Sequence, residues 1–220
     1  LLESGYFVSA CSRNSNKELK QLEKNYKNFK FYSFDLSNRD SIKRMVSEIF
    51  TDKKEELFGL VNCAGVAHGG LFSMTPIEDM ENIFKINYFN QLYLTQLIIK
   101  KFMRNKCGSI VNIASTAGIF GDEGTIAYGG SKSALIHSTK VLSSELGKFN
   151  IRVNSISPAI VETDMSSLMD QKSIERLNSR KSLDGAILPK DVSFFVEFLL
   201  SDKSITLSGQ NFKIDQGMSA

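Results

Sequence analysis

Ser115–Lys132 reads Ser-Thr-Ala-Gly-Ile-Phe-Gly-Asp-Glu-Gly-Thr-Ile-Ala-Tyr-Gly-Gly-Ser-Lys, and the rest of the chain is interpreted around it. Ser115 ends an apolar run, a glycine-rich loop follows, and a helical pattern begins at Tyr128. Residues four apart share one face of a helix, so the ammonium group of Lys132 can lie near the phenol of Tyr128. A nearby positive charge lowers the pKa of a tyrosine, which then can transfer a proton at neutral pH.

The tyrosine and lysine pair alone is weak evidence for catalysis. Helices carry lysines at many exposed positions, so the alternative is a surface pair beside a loop. The flanking segments decide between the two interpretations.

Short apolar runs and amphipathic helical patterns alternate along the chain. The predicted strands are 6–11, 29–34, 57–61, 109–114, 151–156 and 211–215. The predicted helices are 17–25, 40–50, 75–104, 128–149 and one that begins at Pro189. This alternation predicts an α/β fold with three layers, in which a doubly wound parallel sheet of the Rossmann type lies between helices. A single domain is expected over 1–220.

Three local signals refine these boundaries. Thr75, Pro76 and Glu78 form the pattern of a capping box with proline at the first helical position. Gly108 is expected to end the helix that starts there, and Pro158 to break the fifth strand. The segment 162–188 is polar and poorly periodic, and it predicts a mobile lid over the substrate.

Polar and glycine-bearing segments follow successive predicted strands. In a doubly wound sheet the ligand crevice lies outside the carboxyl ends of the strands. The segments that fall there are Ser12-Arg13, Asp35, Asn62 to Gly65, Ser115 and Pro158. Five such coincidences predict one site at that edge.

Composition excludes several classes of function. The net charge is +3, with 42% hydrophobic and 23% charged residues. The sequence has no dense basic tract, so it does not predict a nucleic acid partner. Cys11, Cys63 and Cys107 are scattered, so neither a disulfide framework nor a metal site is predicted, and a reducing cytoplasm is expected. His68 and His137 are assigned no role. Neither a membrane span nor a secretory signal is expected.

The combined pattern resembles the short-chain dehydrogenase/reductase family over essentially the whole chain. Asn62-Cys63-Ala64-Gly65 is similar to the family motif Asn-Asn-Ala-Gly, with cysteine in second place. Pro158–Thr163 resembles the motif Pro-Gly-x-Val-x-Thr, with alanine in place of glycine. The family's catalytic tetrad is matched by Asn87, Ser115, Tyr128 and Lys132.

The resemblance implies reduction of a ketone to a secondary alcohol with hydride from a nicotinamide cofactor. Tyr128 would donate the proton, and Ser115 would hydrogen-bond the substrate oxygen. Lys132 would lower the pKa of Tyr128 and bind the nicotinamide ribose. Asn87 would hold a water that links Lys132 to solvent; the alternative for Asn87, compatible with this role, is a polar residue at a helix kink.

The residues after the first predicted strand favour NADP(H) over NAD(H). An NAD site usually carries an acidic residue there, whereas this chain has Ser12 followed by Arg13, which can pair with a 2′-phosphate. The alternative for Arg13 is an exposed loop arginine. The resemblance adds further cofactor contacts to Tyr128 and Lys132, namely Asp35, Leu36, Asn62, Ala64, Gly65, Pro158, Ile160, Val161 and Thr163.

One departure from the family pattern is large. The family's glycine-rich Thr-Gly-x-x-x-Gly-x-Gly turn and the strand before it belong ahead of Leu1, and no later segment replaces them. We therefore expect a gap in the middle of the sheet and a sequence that starts inside the domain. A protein that began at Leu1 would be expected to bind cofactor weakly, which titration of NADPH against this span and a longer one would test.

Within the family, the chain is most similar to the 3-oxoacyl-(acyl carrier protein) reductases of fatty acid biosynthesis. The similarity lies in Gly118–Gly121, Gly209–Phe212 and Gly217-Met218. The substrate would then be a small ketone or an acyl thioester. An acidic carrier protein could meet the basic helix end formed by Lys100, Lys101, Arg104 and Lys106. A solvated helix end is the alternative interpretation of those residues.

Other activities remain open on the same scaffold. Sugar, steroid and other alcohol dehydrogenases share it, as do lyases, epimerases and non-catalytic NAD(P)-binding regulators. The resemblance also implies a homotetramer or homodimer built on the helices 80–103 and 128–147. Gly129 and Gly130 would permit a close approach between subunits.

Overall fold

Parallel strands and intervening helices organise the chain, and the computed structural model describes residues 1–52, 57–67 and 69–219. The strands are β1 (Val8–Ser12), β2 (Phe29–Ser33), β3 (Gly59–Asn62), β4 (Gly108–Ile113), β5 (Ile151–Pro158) and β6 (Asn211–Ile214). The helices are α1 (Lys17–Asn25), α2 (Arg39–Asp52), α3 (Ile77–Phe84), α4 (Asn90–Asn105), α5 (Ile126–Leu146), α6 (Gln171–Asn178) and α7 (Pro189–Leu200). The predicted alternation is confirmed.

The strands form two parallel sheets. β1 pairs with β2, and β3, β4, β5 and β6 pair in that order. Within the described ranges no strand pairing joins the two sheets, so the gap expected from the sequence is present. Tyr6 and Phe58, which precede β1 and β3, stack with ring centroids 5.7 Å apart, so the two sheets lie side by side.

Successive residues of β4 belong to different hydrophobic clusters. Ile110 packs with Ile42 and Phe102 from α2 and α4, whereas Val111 packs with Leu199 of α7. Because successive side chains of a strand point to opposite faces, the two clusters lie on opposite faces of the sheet. The three-layer α/β fold predicted from the sequence is therefore confirmed.

A row of buried polar side chains crosses this core. The Nδ2 atom of Asn62 on β3 donates to Oδ1 of Asn112 on β4 at 2.8 Å and to Thr95 at 3.0 Å. Asn112 in turn donates to Thr139 of α5 at 2.9 Å. Asn62 and Asn112 are register partners, so the row fixes how β3 lies against β4.

The predicted helix 75–104 differs from the structure at its start. The Thr75 hydroxyl donates to the carbonyl of Leu71 at 2.9 Å and does not cap the helix, which begins at Ile77. The predicted capping box is therefore wrong. A five-residue π-helical turn, Lys85–Phe89, also separates α3 from α4.

The end of that helix also differs. The chain leaves α4 through Lys106, whose φ of 50° is left-handed, and Gly108 is already the first residue of β4. A Cβ atom on Gly108 would lie 2.6 Å from the ring of Phe102, so the glycine makes room for that side chain. Pro158, predicted to break β5, is its last residue.

The segment 162–188 leaves and rejoins the domain at one point. Val161 and Ile187 form an isolated parallel bridge, and Glu162 N donates to the Ile187 carbonyl at 3.0 Å. Between them lie a single 3-10 turn, Ser166–Leu168, and α6. The carboxylate of Asp170 caps α6 by accepting from Ser173 N at 2.9 Å.

Candidate active site

A cavity of about 630 Å³ opens at the carboxyl ends of β4 and β5. Ser115, just beyond β4, and Tyr128, on the first turn of α5, both line it. Pro158, Ile160, Val161 and Thr163, predicted as cofactor contacts, line the same cavity. The structure thus brings together two of the tetrad residues and the segment that follows β5.

Glycines let the turn after β4 approach α5 closely. Ser115 starts a short 3-10 turn, Thr116–Gly118, and its Oγ accepts from Ala117 N at 3.2 Å. A Cβ atom on Gly129 would lie 2.5 Å from the Ala117 carbonyl oxygen. A Cβ atom on Gly130 would lie 3.2 Å from the Phe84 ring. The close approach assigned to these glycines between subunits is thus found inside the chain.

Burial raises the pKa of Tyr128, and a side-chain hydrogen bond with Ser115 acts in the opposite direction. The lowering expected from Lys132 is therefore wrong in this structure. Lys132 Nζ lies 5.8 Å from the centroid of the Tyr128 ring and donates to the Ile113 carbonyl at 2.7 Å. The ammonium group thus lies against the ring and the end of β4, while the loss of water around the phenol dominates.

Lys132 is itself almost fully buried. Burial lowers its pKa to about 8, and the nearby thiol of Cys63 acts in the opposite direction. A buried ammonium is unfavourable because it loses its hydration, so the proton is held less tightly. Near neutral pH the site therefore holds a lysine that can exchange protons more readily than one on the surface.

Asn87 occupies the π-helical turn and is completely buried. Its Oδ1 accepts from Val66 N at 2.8 Å, and its Nδ2 donates to the Val66 carbonyl at 2.8 Å and to Ser131 Oγ at 3.3 Å. Ser131 Oγ donates to the carbonyl of Tyr128 at 2.7 Å. Asn87 therefore lies at an irregular point of the helix, as one interpretation of the sequence held, and it ties the loop after β3 to α5.

The loop after β3 passes directly over these side chains. A Cβ atom on Gly65 would lie 3.1 Å from Asn87 Oδ1 and 3.6 Å from Lys132 Nζ. The Ala64 carbonyl accepts from Nε2 of Gln91, which is 1% exposed. A side chain at Gly65 would crowd Asn87, so the glycine leaves the backbone of this loop open to a ligand, while the Asn62 side chain points into the core.

Sequence reasoning missed Ser131 and Gln91. Both are polar residues on the inward face of a helix, Ser131 three positions after Tyr128 and Gln91 four positions after Asn87. Those spacings place each on the same helix face as a predicted site residue, which was the available signal.

The predicted 2′-phosphate contacts follow β1. The Ser12 hydroxyl donates to the Asn14 carbonyl at 2.9 Å and shapes the turn. The Arg13 side chain is exposed, and its carbonyl accepts from Ser33 Oγ on β2 at 2.9 Å. The guanidinium group therefore projects from a backbone that is fixed between the ends of the two strands.

Asp35 follows β2 on the same edge. Its carboxylate accepts from Ser37 N at 2.8 Å, and hydrogen bonds with Ser37 hold its pKa below the usual value, with Arg13 and Lys85 contributing in the same direction. A carboxylate and two cations thus share this corner.

Leu36, predicted as a cofactor contact, has its side chain in the core. Its side chain is 7% exposed and belongs to the hydrophobic cluster of α2 and α4, while its carbonyl accepts from Asn90 Nδ2 at 2.7 Å. Only the backbone of Leu36 is left to border the corner formed by Asp35.

The wall opposite Tyr128 belongs to the segment 162–188 and the C-terminal end of the chain. Its apolar residues are flexible or branched aliphatic side chains, namely Met165, Met169, Leu177 and Met218. Methionine adapts to irregular apolar ligands because it has three rotatable bonds and a polarizable sulfur. The charged groups Asp170 and Arg176 lie on the same wall, and Asp122 and Glu123 line the cavity from the loop before α5.

The described part of the chain shows neither a metal-binding cluster nor a helix suited to a membrane. Among these residues no group of three metal-ligating side chains comes together. Nor does any helix within the same ranges have the length and apolar character needed to cross a bilayer. His68 lies outside the described residues, and His137 is exposed on α5.

Comparison with known proteins assigns this arrangement to a class. The family model described as enoyl-(acyl carrier protein) reductase matches residues 1–219. The 3-oxoacyl-[acyl-carrier-protein] reductase FabG of Thermotoga maritima is 33% identical over 187 residues, which are 85% of this chain and 76% of that protein.

Two solved structures are similar along nearly the whole chain. A 4-hydroxyisoleucine dehydrogenase complexed with NADH and succinate has a TM-score of 0.89 and 32% identity, covering 99% of this chain and 91% of that one. ElxO with NADP bound has a TM-score of 0.87 and 26% identity, covering 99% and 90%.

These matches define a class of nicotinamide-dependent oxidoreductases with a doubly wound α/β fold. The chain belongs to the short-chain dehydrogenase/reductase family and is an NAD(P)-dependent oxidoreductase of that family. The residues at the site fit such a cofactor, because Gly65 keeps the loop after β3 close to Lys132 and Asn87 without a side chain in the way.

Proposed function

We propose that the protein is an NADPH-dependent reductase that converts a ketone to a secondary alcohol. The observation that carries the proposal is that Ser115 and Tyr128 both line the 630 Å³ cavity, with the Lys132 ammonium 5.8 Å from the centroid of the Tyr128 ring. A bound nicotinamide cofactor supplies the hydride. The side chains of the protein have to orient the carbonyl and provide the proton.

Each tetrad residue has a role that its contacts support. Tyr128, whose pKa is raised, keeps its proton at neutral pH and is in the form that donates to the carbonyl oxygen. Ser115 hydrogen-bonds the same oxygen and holds it beside the phenol. Lys132 lies beneath the ring, where it would bind the cofactor ribose and help restore the tyrosine proton.

Asn87 would connect Lys132 to solvent through a water, as the family resemblance implies. Its side chain also hydrogen-bonds Val66 and Ser131, so it ties the π-helical turn to the loop after β3 and to α5. The π-helical turn supports this water-mediated connection. Such a turn displaces backbone groups from the regular helical hydrogen bonds and leaves them available to a water.

The cofactor would be held along the carboxyl ends of the strands. Arg13 supports a preference for NADP(H), with Asp35 and the Leu36 backbone near the adenine. The Asn62, Ala64 and Gly65 backbone, together with Pro158, Ile160, Val161 and Thr163, would border the nicotinamide half. Of the two similar structures, one contains NADH and the other NADP, so Arg13 alone supports the preference for NADP(H).

For the substrate we propose a 3-oxoacyl thioester, presented on acyl carrier protein. The similarity to the Thermotoga reductase and the methionine-lined wall support an acyl ligand. The helix end with Lys100, Lys101, Arg104 and Lys106 supports an acidic partner, although a solvated helix end would have the same composition. We also propose that 162–188 is the substrate lid, because it forms the wall opposite Tyr128.

A second candidate is a dehydrogenase of a small hydroxylated acid or another alcohol. It is favoured by the similarity of the fold to the 4-hydroxyisoleucine dehydrogenase. A lyase, an epimerase or a non-catalytic regulator would leave NADPH unconsumed.

A substrate panel tests these proposals. NADPH absorbance is followed with 3-oxoacyl thioesters, cyclic ketones, keto-sugars and 2-oxo or 4-oxo acids, and each is repeated with NADH. Fastest turnover is expected with 3-oxoacyl thioesters and NADPH. Faster turnover of the free oxo acids would favour the second candidate, and no nucleotide consumption with any compound would contradict reductase activity.

A further inference from the structure

Two arginines near the end of α6 face two consecutive acidic residues on the loop before α5. Arg180 Nη1 lies 2.7 Å from Asp122 Oδ1, and Arg176 Nη1 lies 3.4 Å from Glu123 Oε2. The arginines are four positions apart, the spacing of one helical turn. The two ion pairs therefore link the segment 162–188 to the loop between Ser115 and Tyr128.

The Arg180 pair is the stronger of the two. Its side chains are 33% and 18% exposed, whereas those of Arg176 and Glu123 are 44% and 69% exposed. The Arg180 guanidinium also lies 5.2 Å from the centroid of the Phe120 ring, at the distance of a cation–π contact. Exposed ion pairs contribute little because water and salt screen them, so Arg180 dominates the link.

Hydrogen bonds connect Asp122 to α5, the helix that carries Tyr128. Its carbonyl accepts from Thr125 N at 3.2 Å and from Thr125 Oγ1 at 2.7 Å. The Thr125 carbonyl accepts from Gly129 N at 2.6 Å, in the first turn of α5, which carries Tyr128. The position of the Asp122 side chain is therefore coupled to the start of α5 through short, local contacts.

On its other side, Arg180 is close to an anchored part of the chain. Ser182 N and Leu183 N both donate to the Gln216 carbonyl, at 2.8 and 3.1 Å. α6 precedes Arg180, and Ser173, Arg176 and Leu177 line the cavity. Arg180 thus lies between a fixed base and the helix that borders the substrate space.

We propose that Arg180 is a positioning residue for the ketone. Through Asp122 it aligns two walls of one cavity, α6 on one side and the first turn of α5 with Tyr128 on the other. Arg180 is not among the residues that line the cavity, so it acts through its neighbours. The inference rests on the proposed reductase function, whose substrate would be gripped between these walls.

Steady-state kinetics of Arg180→Met and Asp122→Asn test the proposal, with acetoacetyl-coenzyme A and NADPH as the probes. We expect the KM for the thioester to rise about tenfold in each variant, as for loss of a partly shielded charge-assisted hydrogen bond. The Kd for NADPH is expected to stay within about twofold. Lys172→Met, which removes an exposed cation of α6 that does not line the cavity, is the matched control and should change the thioester KM less than about twofold.

The double variant Asp122→Arg with Arg180→Asp separates alignment from simple loss of stability. It restores an ion pair of opposite orientation, so the thioester KM should fall below that of either single charge reversal. A double variant no better than the single reversals would overturn the proposal. So would an unchanged thioester KM in Arg180→Met, or an equal rise in the Kd for NADPH.

Hydrogen exchange separates failure of this inference from failure of the proposed function. In Arg180→Met, amides of 119–125 and of α6 should exchange about tenfold faster than in the wild type, and those of α7 should be unchanged. If the wild type does not reduce acetoacetyl-coenzyme A, the proposed substrate is wrong, and exchange alone decides on the link. Unchanged exchange in both segments would overturn it.

Discussion

At the scale of single residues, the site depends on how burial changes Tyr128 and Lys132. The phenol keeps its proton because burial raises its pKa, and the ammonium loses its proton more easily because burial lowers the pKa to about 8. The ordinary values are 10.0 and 10.5, so the two shifts move the pKa values apart and place that of Tyr128 above that of Lys132. Transfer of a proton from the Lys132 ammonium to a Tyr128 phenolate is therefore favourable, as is needed to restore the tyrosine after it donates its proton.

Removing the Tyr128 hydroxyl should abolish most of the reaction. For Tyr128→Phe we expect kcat to fall by about 10²- to 10⁴-fold, the usual contribution of a general acid, with the Kd for NADPH nearly unchanged. Stopped-flow kinetics and fluorescence titration measure the two quantities. Tyr88→Phe is the control, since it removes a phenol that contacts Ser138 outside the cavity. Full activity of Tyr128→Phe would exclude the proposed mechanism.

Lys132 should make the stability depend on pH. Its folded pKa of about 8 is below the ordinary value of 10.5, so the unfolded state binds more protons between these two pH values. The free energy of unfolding of the wild type should therefore rise with pH in this window relative to Lys132→Met, by about 1 kcal/mol per pH unit. Urea denaturation measures this. Lys140→Met, at an exposed position of the same helix, retains Lys132 and should keep the pH dependence of the wild type.

Arg13 should determine the cofactor preference. For Arg13→Met we expect kcat/KM with NADPH to fall about tenfold or more, because a charge-assisted contact to a 2′-phosphate is lost, while the value with NADH stays the same. Lys17→Met, at an exposed position of α1, is the control. Equal losses with both cofactors would contradict the assignment.

The tetrad was predicted from the resemblance to a family motif, and the structure places Ser115 and Tyr128 on one cavity with Asn87 and Lys132 beside the loop after β3. The sign of the Tyr128 pKa shift was not predictable in the same way. It depends on how much water the folded chain removes from the phenol, which the local sequence does not record. Ser131 and Gln91 escaped notice for a related reason, since their importance lies in partners 44 and 27 positions away.

At the scale of the elements, the approach of the Thr116–Gly118 turn to α5 depends on Gly129. For Gly129→Ala we expect a loss of about 2–4 kcal/mol in the free energy of unfolding, because the new methyl group would overlap the Ala117 carbonyl and the backbone would have to move. Ser115 would move away from Tyr128, and kcat would fall as well. Urea denaturation and steady-state kinetics measure the two effects.

Gly147→Ala is the matched control for that substitution. It lies at the end of the same helix with no atom within 4 Å of the new Cβ, so it should be neutral or stabilising by up to about 1 kcal/mol. Equal free energies of unfolding for the two alanine variants would show that the close approach of Gly129 to Ala117 does not stabilise the fold.

The order and type of the elements followed from the sequence because hydrophobic periodicity is local. The errors came where a distant side chain decides the backbone. Gly108 looks like a helix end, yet it is the first residue of β4, where it makes room for the Phe102 side chain of α4. The π-helical turn at Asn87 adds no unusual residue to a periodic pattern, so only the bonds from Asn87 to the loop after β3 reveal it.

At the scale of the whole molecule, apolar side chains remain exposed on the proposed subunit interface. Phe89, at the end of the π-helical turn, and Val141, on α5, are 52% and 41% exposed. We propose that a second copy of the chain covers them. Val141→Lys should therefore convert oligomers to smaller species, because a desolvated ammonium opposes association.

Sedimentation velocity measures the oligomeric state of this variant. Lys24→Glu is the control, because Lys24 is exposed on α1 and lies outside the proposed interface. It should leave the wild-type distribution unchanged. A Val141→Lys variant that sediments like the wild type would place the interface elsewhere.

The buried row of Asn62, Asn112 and Thr139 has a consequence for folding. β3 and β4 are short and apolar, so several alignments of the two strands would bury similar areas. A shift of either strand would leave amide groups in the core without partners, at a cost of about 1–3 kcal/mol for each group. The row therefore selects one strand alignment during folding, because a collapsed chain with the wrong pairing of β3 and β4 is less stable by this amount. The ligand crevice then forms on the correct alignment.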